Sequence, residues 1–308
     1  MQLYLPIADL PLNIFLLLAM GLAVGFVSGM FGVGGGFLMT PFLIFLGISP
    51  SVAVATVASH ITASSFSGAL SYWRRRAVDI QMVFILLTGG LLGTLSGVWI
   101  FTKLRALGQL DLLIGFSYLI MLTAIGGLML IESVRAIVRV RQQKPSLLRR
   151  SGGHTWMHGL PLKMRFKRST IYVSVIPVWG IGYIIGVVGA VMGIGGGFLL
   201  VPMLIYFLRM PTATVIGTAA VLTTATMALA TVMHALTNHL VDAVLALVLM
   251  VGGVTGAQFG ARSAHNIPAE RLRFLLGLLI LGVGFRFGYG LISRPDNLYS
   301  IRTLGADI

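Results

Sequence analysis

From Leu10 to Trp73 the sequence contains no Asp, Glu, Lys or Arg. A water-soluble domain carries charge at roughly a quarter of its positions, so a run of this kind has to be covered by protein or by lipid. The pattern continues along the chain. Ten apolar segments can be marked, at roughly 12–32, 37–48, 51–73, 80–102, 110–131, 171–192, 198–209, 212–234, 241–261 and 271–292. Hydrophobic residues make up 57% of the 308 and charged residues 10%. The useful unit is therefore the membrane span of about 20 apolar residues, and the expected fold class is an all-α polytopic membrane protein. Met1–Pro11 lacks the basic n-region of a cleavable signal, so the first segment is expected to be retained.

The net charge is +14, but its distribution argues against a nucleic-acid partner. Ten of the 22 Lys and Arg lie within 133–170, a stretch without any acid. A basic loop between apolar spans marks a cytoplasmic segment beside anionic lipid, and no nucleic-acid motif accompanies it. The absence of cysteine excludes disulfides, thiolate catalysis and cysteine metal sites.

The second five segments repeat the first five. Gly21, Gly25 and Gly29 match Gly182, Gly186 and Ala190, and the block Gly32–Pro41 (GVGGGFLMTP) matches Gly193–Pro202 (GIGGGFLLVP). Pro50 matches Pro211, and Gly89, Gly90, Gly93 and Gly97 match Gly252, Gly253, Gly256 and Gly260. The expected organisation is a first transmembrane repeat at 1–132, a basic cytoplasmic linker at 133–170 and a second repeat at 171–308. An odd number of segments per repeat sets the halves in opposite orientations. The charges agree: Arg74, Arg75 and Arg76 follow the third segment, whereas the equivalent stretch Ala235–Leu240 has no Lys or Arg. By the positive-inside rule both termini then lie outside.

The second segment of each repeat is short, and each follows a run of three glycines and carries an internal proline, Pro41 or Pro202. A 12-residue helix extends about 18 Å, against a hydrocarbon core of about 30 Å. The expected structure is a broken or re-entrant helix in each repeat. Irregular backbone at membrane depth needs protein or a water-filled cavity to satisfy it, and a half-helix N-terminus presents free N–H groups to an anion. Gly34, Gly35, Gly36 and Phe37, with Gly195, Gly196, Gly197 and Phe198, are the expected substrate-binding positions. The alternative is that these glycines only permit close packing, as the ridges Gly21/Gly25/Gly29 and Gly182/Gly186/Ala190 do.

All eight acids lie in loops, tails or segment edges. A buried carboxylate site for a cation is thus not expected, and an anionic or neutral substrate is favoured. His60, in the run Thr56-Val-Ala-Ser59-His60, reads either as a hydrogen-bonded interhelical histidine or as an anion contact or proton-coupling group. Thr56 and Thr218 follow the two breaks by similar distances and join the candidate binding set with Ser59 and His60. Thr223, Thr224 and Thr226 read as hydroxyls bonded back to their own helix. Arg286 either lines a pathway or reaches the interface. Asp242, near His234 and His239, reads as part of a solvated loop. No catalytic cluster, metal set or cofactor motif is recognised, so neither an enzyme nor a cofactor is expected.

The paired GxGGGFL-x2-P blocks, each followed by a proline-started helix with a Thr (AVAT at 53–56, VIGT at 215–218), resemble the TauE/SafE sulfite-exporter family of membrane permeases. The resemblance covers roughly 12–292. It implies a secondary transporter in a bacterial inner membrane, moving a small sulfur-containing anion such as sulfite, sulfoacetate or another organosulfonate. The expected mechanism is alternating access, with proton coupling and a homo-oligomeric state left open. An anion channel and a membrane-embedded enzyme are the alternatives.

Overall fold

A computed structural model describes residues 2–31, 34–141, 161–166, 168, 171–208, 210, 212–263 and 269–292. The described residues form helices α1 (Ile14–Phe31), α2 (Gly36–Phe45), α3 (Pro50–Arg74), α4 (Ile80–Ala106) and α5 (Leu110–Arg141) in the first half. The second half has α6 (Val175–Met192), α7 (Gly197–Tyr206), α8 (Thr212–Met233), α9 (Ala243–Ser263) and α10 (Ala269–Ile292). Among the described residues, five helical stretches are long and apolar enough to cross a membrane: Ile80–Ala106, Leu110–Arg135, Val175–Met192, Thr214–Asn238 and Ala243–Ser263. The chain is an all-α polytopic membrane protein. The middle of the expected linker, 142–160, lies outside the described residues.

Helix α3 is long enough to span but is less apolar, because it carries Ser59, His60, Thr62, Ser64, Ser65 and Ser67. Its surroundings account for this. The helix packs against α2, α8 and α9, and Thr56, Ser59, His60, Ser64 and Ser65 are buried. A helix walled by protein can carry hydroxyls, which return a hydrogen bond to a carbonyl one turn back, as Thr62 does to Ala58 (2.8 Å).

The glycine ridges join the two halves. Helix α1 lies along α9 and α4 along α6. These pairs approach so closely that a Cβ on Gly25 would overlap the backbone of Gly253, and one on Gly93 the backbone of Tyr183. Small residues permit such backbone contact, the usual basis of helix association in lipid. At the centre α3 and α8 pack together. Thr56, early in α3, meets Leu240 and Asp242 beyond the end of α8, while Thr218, early in α8, meets Asp79 beyond the end of α3. The two helices therefore run antiparallel. Helices α5 and α10 pair beside them, with Gly126 against Ile280 and Leu281.

Two features depart from the sequence expectations. Each half opens on a β-hairpin rather than on helix: β1 (Gln2–Leu5) pairs with β2 (Leu10–Asn13), and β3 (Lys163–Phe166) with β4 (Ile171–Ser174). Segment 171–192 thus begins as a strand, and its helix starts at Val175 where Ser174 Oγ accepts from the Ile176 N–H (3.4 Å). The stretch after α8 is not a plain loop either. His234–Asn238 continues the helix as one π turn, a form that often sits at functional places.

Candidate functional site

Both triple-glycine runs break the chain as their composition demands. Gly34 and Gly35 have φ of 88° and 66°, and Gly195 and Gly196 have φ of 80° and 57°. This is the left-handed region where side chains other than glycine are strained. Each turn folds back on itself, Gly36 N–H donating to the Gly34 carbonyl (2.8 Å) and Gly197 N–H to that of Gly195. Helices α2 and α7 start directly from these turns and are only 10 residues long. Pro41 and Pro202 lie inside them and remove the hydrogen bonds that the carbonyls of Phe37 and Phe198 would accept.

The two breaks meet. Phe37 and Phe198 stack with ring centroids 4.3 Å apart and planes 10° from parallel. A Cβ on Gly36 would lie 2.6 Å from the Gly193 carbonyl oxygen, and one on Gly195 would lie 2.7 Å from Ile61 Cγ2. Two half-helix N-termini are thus brought side by side in the buried centre of the molecule, with Ile61 of α3 between their turns. Gly34, Gly35, Gly36, Phe37, Gly195, Gly196, Gly197 and Phe198 form one cluster. Hydroxyls of the first half reach the second break: Thr40 donates to the Gly193 carbonyl (3.4 Å) and Tyr118 to that of Met192 (2.7 Å).

The remaining candidates are engaged elsewhere. Thr56 Oγ1 donates to the Leu240 carbonyl (3.5 Å) and accepts from the Asp242 N–H (3.1 Å). Thr218 Oγ1 accepts from the Asp79 N–H (3.3 Å). These threonines clasp the start of one central helix to the loop that follows the other. Ser59 donates back to the Thr56 carbonyl (2.5 Å). His60 Nδ1 donates to the Leu249 carbonyl (2.8 Å), and its ring lies against Gly253. Its contacts are those of an interhelical histidine fastening α3 to α9, although Nε2 is buried without a hydrogen-bond partner.

The reading of Asp242 as part of a solvated loop is wrong. Its side chain is fully buried. One carboxylate oxygen caps α9 by accepting from the N–H groups of Val244 (3.1 Å) and Leu245 (3.0 Å). The other accepts from Ile7 (3.0 Å) and Ala8 (3.3 Å) in the turn of the first hairpin. Asp79 stands at the matching place in the first half and caps α4 through the Met82 N–H (3.2 Å). Arg286 is exposed, with its guanidinium 5.3 Å from the centre of the Phe45 ring.

One residue of the cluster escaped the sequence reading. Thr224 and Thr226 bond back to Ala220 and Leu222 (2.8 and 2.9 Å), as such hydroxyls ordinarily do. Thr223 does not. It is 2% exposed, its Oγ1 has no hydrogen-bond partner, and it faces both turns. Its Cγ2 lies 3.4 Å from a Cβ position on Gly34, and its Oγ1 lies 4.0 Å from one on Gly196. Ser65 Oγ approaches Gly34 equally closely, at 3.4 Å. Nothing in the run Thr223–Thr226 distinguishes the first hydroxyl from the others, and only helix rotation decides it.

The surroundings of the cluster differ on its two sides. A cavity of about 430 Å³ opens between the C-terminal ends of α3 and α9, lined by Ser67, Ser71, Arg74, Arg75, Gln258 and Arg262 among others. The corresponding ends of α8 and α4 are tied shut around the π turn. Arg105 donates to the Asn238 carbonyl (2.9 Å) and Thr102 to Asn238 Oδ1 (3.0 Å). Asn238 Nδ2 donates to His234 Nδ1 (3.2 Å), and His234 Nε2 donates to the Ala190 carbonyl (3.1 Å). Phe101 packs edge-on to the His234 ring at 4.5 Å.

Comparison with known proteins agrees with this architecture. Residues 17–287 match the family described as sulfite exporter TauE/SafE. A probable membrane transporter protein of Xylella fastidiosa is 30% identical over 270 residues, covering 84% of this chain and 89% of that protein. The probable membrane transporter protein YjnA of Bacillus subtilis is 28% identical over 274 residues, covering 88% of this chain and 98% of its own length. The sulfite exporter TauE/SafE family protein 1 of Arabidopsis thaliana shares 40% identity over 60 residues, 20% of this chain and 13% of that protein. No solved structure matches the chain.

Proposed function

This chain belongs to the sulfite exporter TauE/SafE family and is a membrane transporter, and from that premise we propose that it carries a small sulfur-containing oxyanion between its two glycine turns by alternating access. The observation that carries this reading is the convergence of two half-helix N-termini at the stacked Phe37–Phe198 pair. The N–H groups of Phe37 and Phe198, at the first turns of α2 and α7, supply donors and a partial positive charge without a formal cation. An anion can then be held without being trapped. Thr223, buried and without a partner, supplies a hydroxyl donor to the same space.

Alternation is supported by the asymmetry of the two sides. The pair α3–α9 opens on a cavity while the matching pair α8–α4 is closed by Arg105, Asn238 and His234. The antiparallel course of α3 and α8 supports two halves of opposite orientation, as inverted-repeat carriers have. On this reading the Arg74–Arg76 end is cytoplasmic and the π turn external, in a cell inner membrane. Thr56, Thr218, Ser59 and His60 then hold the frame rather than the substrate.

The test is a flux panel in proteoliposomes with sulfite, sulfate, thiosulfate and short sulfonates, each with and without a pH gradient. Counterflow of at least one sulfur anion is expected, since only a carrier exchanges bound substrate across a gradient. Conductance without counterflow would replace the carrier by a channel. Absence of any flux by protein that is folded in the bilayer would remove the reading.

A further inference from the structure

The cavity between α3 and α9 has a chemistry of its own. Arg74 and Arg75 come from the end of α3 and Arg262 from the end of α9, with Ser67, Ser71 and Gln258 lining the same space. Among the described residues its lining contains no carboxylate. Arg74 and Arg262, on two different helices, face one cavity, where their like charges repel and an anion would relieve the repulsion. A guanidinium is planar and presents paired N–H donors that match an oxyanion.

Two further facts favour a ligand over simple placement of charge at a membrane face. The internal repeat places Trp99 where Arg262 stands, and no Lys or Arg lies within Ala235–Leu240. Arg105 on the closed side is engaged by the Asn238 carbonyl, so the arginine cluster belongs to the open side. The cavity also reaches toward the glycine turns. Gly68 lies in its wall, one helical turn beyond Ser65, whose Oγ is 3.4 Å from a Cβ position on Gly34.

We propose that this cavity is a binding site for a small tetrahedral or pyramidal oxyanion, captured by Arg74 and Arg262 before it reaches the glycine turns. The proposal rests on the transport reading for its sequence of events but not for the binding itself. The same donors suit the phosphate of an anionic lipid, and the experiment separates the two sources.

The full chain is reconstituted in nanodiscs of phosphatidylcholine and titrated with sulfite, sulfate, methanesulfonate and phosphate. At least one anion is expected to bind, and more weakly as salt rises. The double variant R74Q/R262Q is expected to weaken binding at least tenfold, with partial recovery in R74K/R262K. Because the chain has no cysteine, Ser71→Cys adds a second measurement: bound anion should slow its modification by N-ethylmaleimide, in a protein with every arginine in place.

Unchanged affinity in folded R74Q/R262Q, together with unprotected Cys at position 71, would overturn the site. So would a wild type that binds none of the four anions. Phosphatidylglycerol that protects position 71, where free anions neither protect it nor compete, would assign the cavity to lipid and overturn it equally. Arginine-dependent binding without flux would sink the transport reading and leave the site. Flux whose half-saturation R74Q/R262Q does not change would sink the site and leave transport.

Discussion

Thr223 and Asp242 show how far a side chain's role depends on what surrounds it. A buried hydroxyl without a partner costs roughly 1–3 kcal/mol, and Thr223 bears that cost beside the two glycine turns. Thr223→Val keeps the shape and removes the hydroxyl. The variant should melt at the wild-type temperature or slightly higher while flux falls at least tenfold; unchanged flux with an unchanged melting curve would remove Thr223 from the site. Asp242 is the opposite case, a carboxylate with four backbone N–H groups on its two oxygens. Asp242→Ala leaves those donors buried and removes a helix cap, so a loss of at least about 2 kcal/mol is expected. Thermal unfolding in detergent reads it directly, and a melting temperature within error of wild type would contradict the buried role.

At the scale of elements, the helix pairs are set by backbone contact rather than by interlocking large side chains. Helices α1 and α9 touch through Gly25 and Gly253, and α4 and α6 through Gly93 and Tyr183. An added methyl at Gly25 has no flexible neighbour to displace, only backbone. Gly25→Ala should therefore cost about 1–3 kcal/mol and reduce the folded yield. Gly180→Ala in α6, where a Cβ would meet nothing within 4 Å, should instead raise stability by about 0.5–1 kcal/mol. Measured together by thermal unfolding, the two substitutions should shift in opposite directions, and a shift of the same sign would mean that the helix contacts are misassigned.

For the whole molecule, the long contacts run between halves. Helix α1 needs α9, α6 needs α4, and α3 and α8 are tied end to end through Thr56 with Asp242 and Thr218 with Asp79. Among the described residues the α1 and α6 ridges pack across the halves, on α9 and α4 respectively. A chain cut within 142–160 and expressed as two pieces should reassemble, with a tag on either piece recovering both in equal amounts. Each piece expressed alone should be degraded or aggregate. A first half that is stable alone would show that the interface between halves is dispensable.

Much of this was legible from residue order. Hydropathy located the ten α-helices of the described residues, because lipid tolerates only self-satisfied backbone, and helix is the economical way to achieve it. The triple glycines marked both breaks because no other residue relaxes into consecutive left-handed turns. The spaced glycines marked the close helix pairs because a Cβ at Gly25 or Gly93 would overlap the backbone of the neighbouring helix. What the sequence could not supply was direction. Whether Thr56 faces the break or the loop beyond α8, and which hydroxyl of Thr223–Thr226 lacks a partner, depends on the rotation and meeting of helices far apart in the chain. The hairpins at 2–13 and 163–174 were missed for the same reason: four-residue strands have too little periodicity to read, and the Asp242 contact that seats the first lies 234 and 235 positions away. Residue type limited which groups could enter a membrane, and tertiary packing decided which of them face one another.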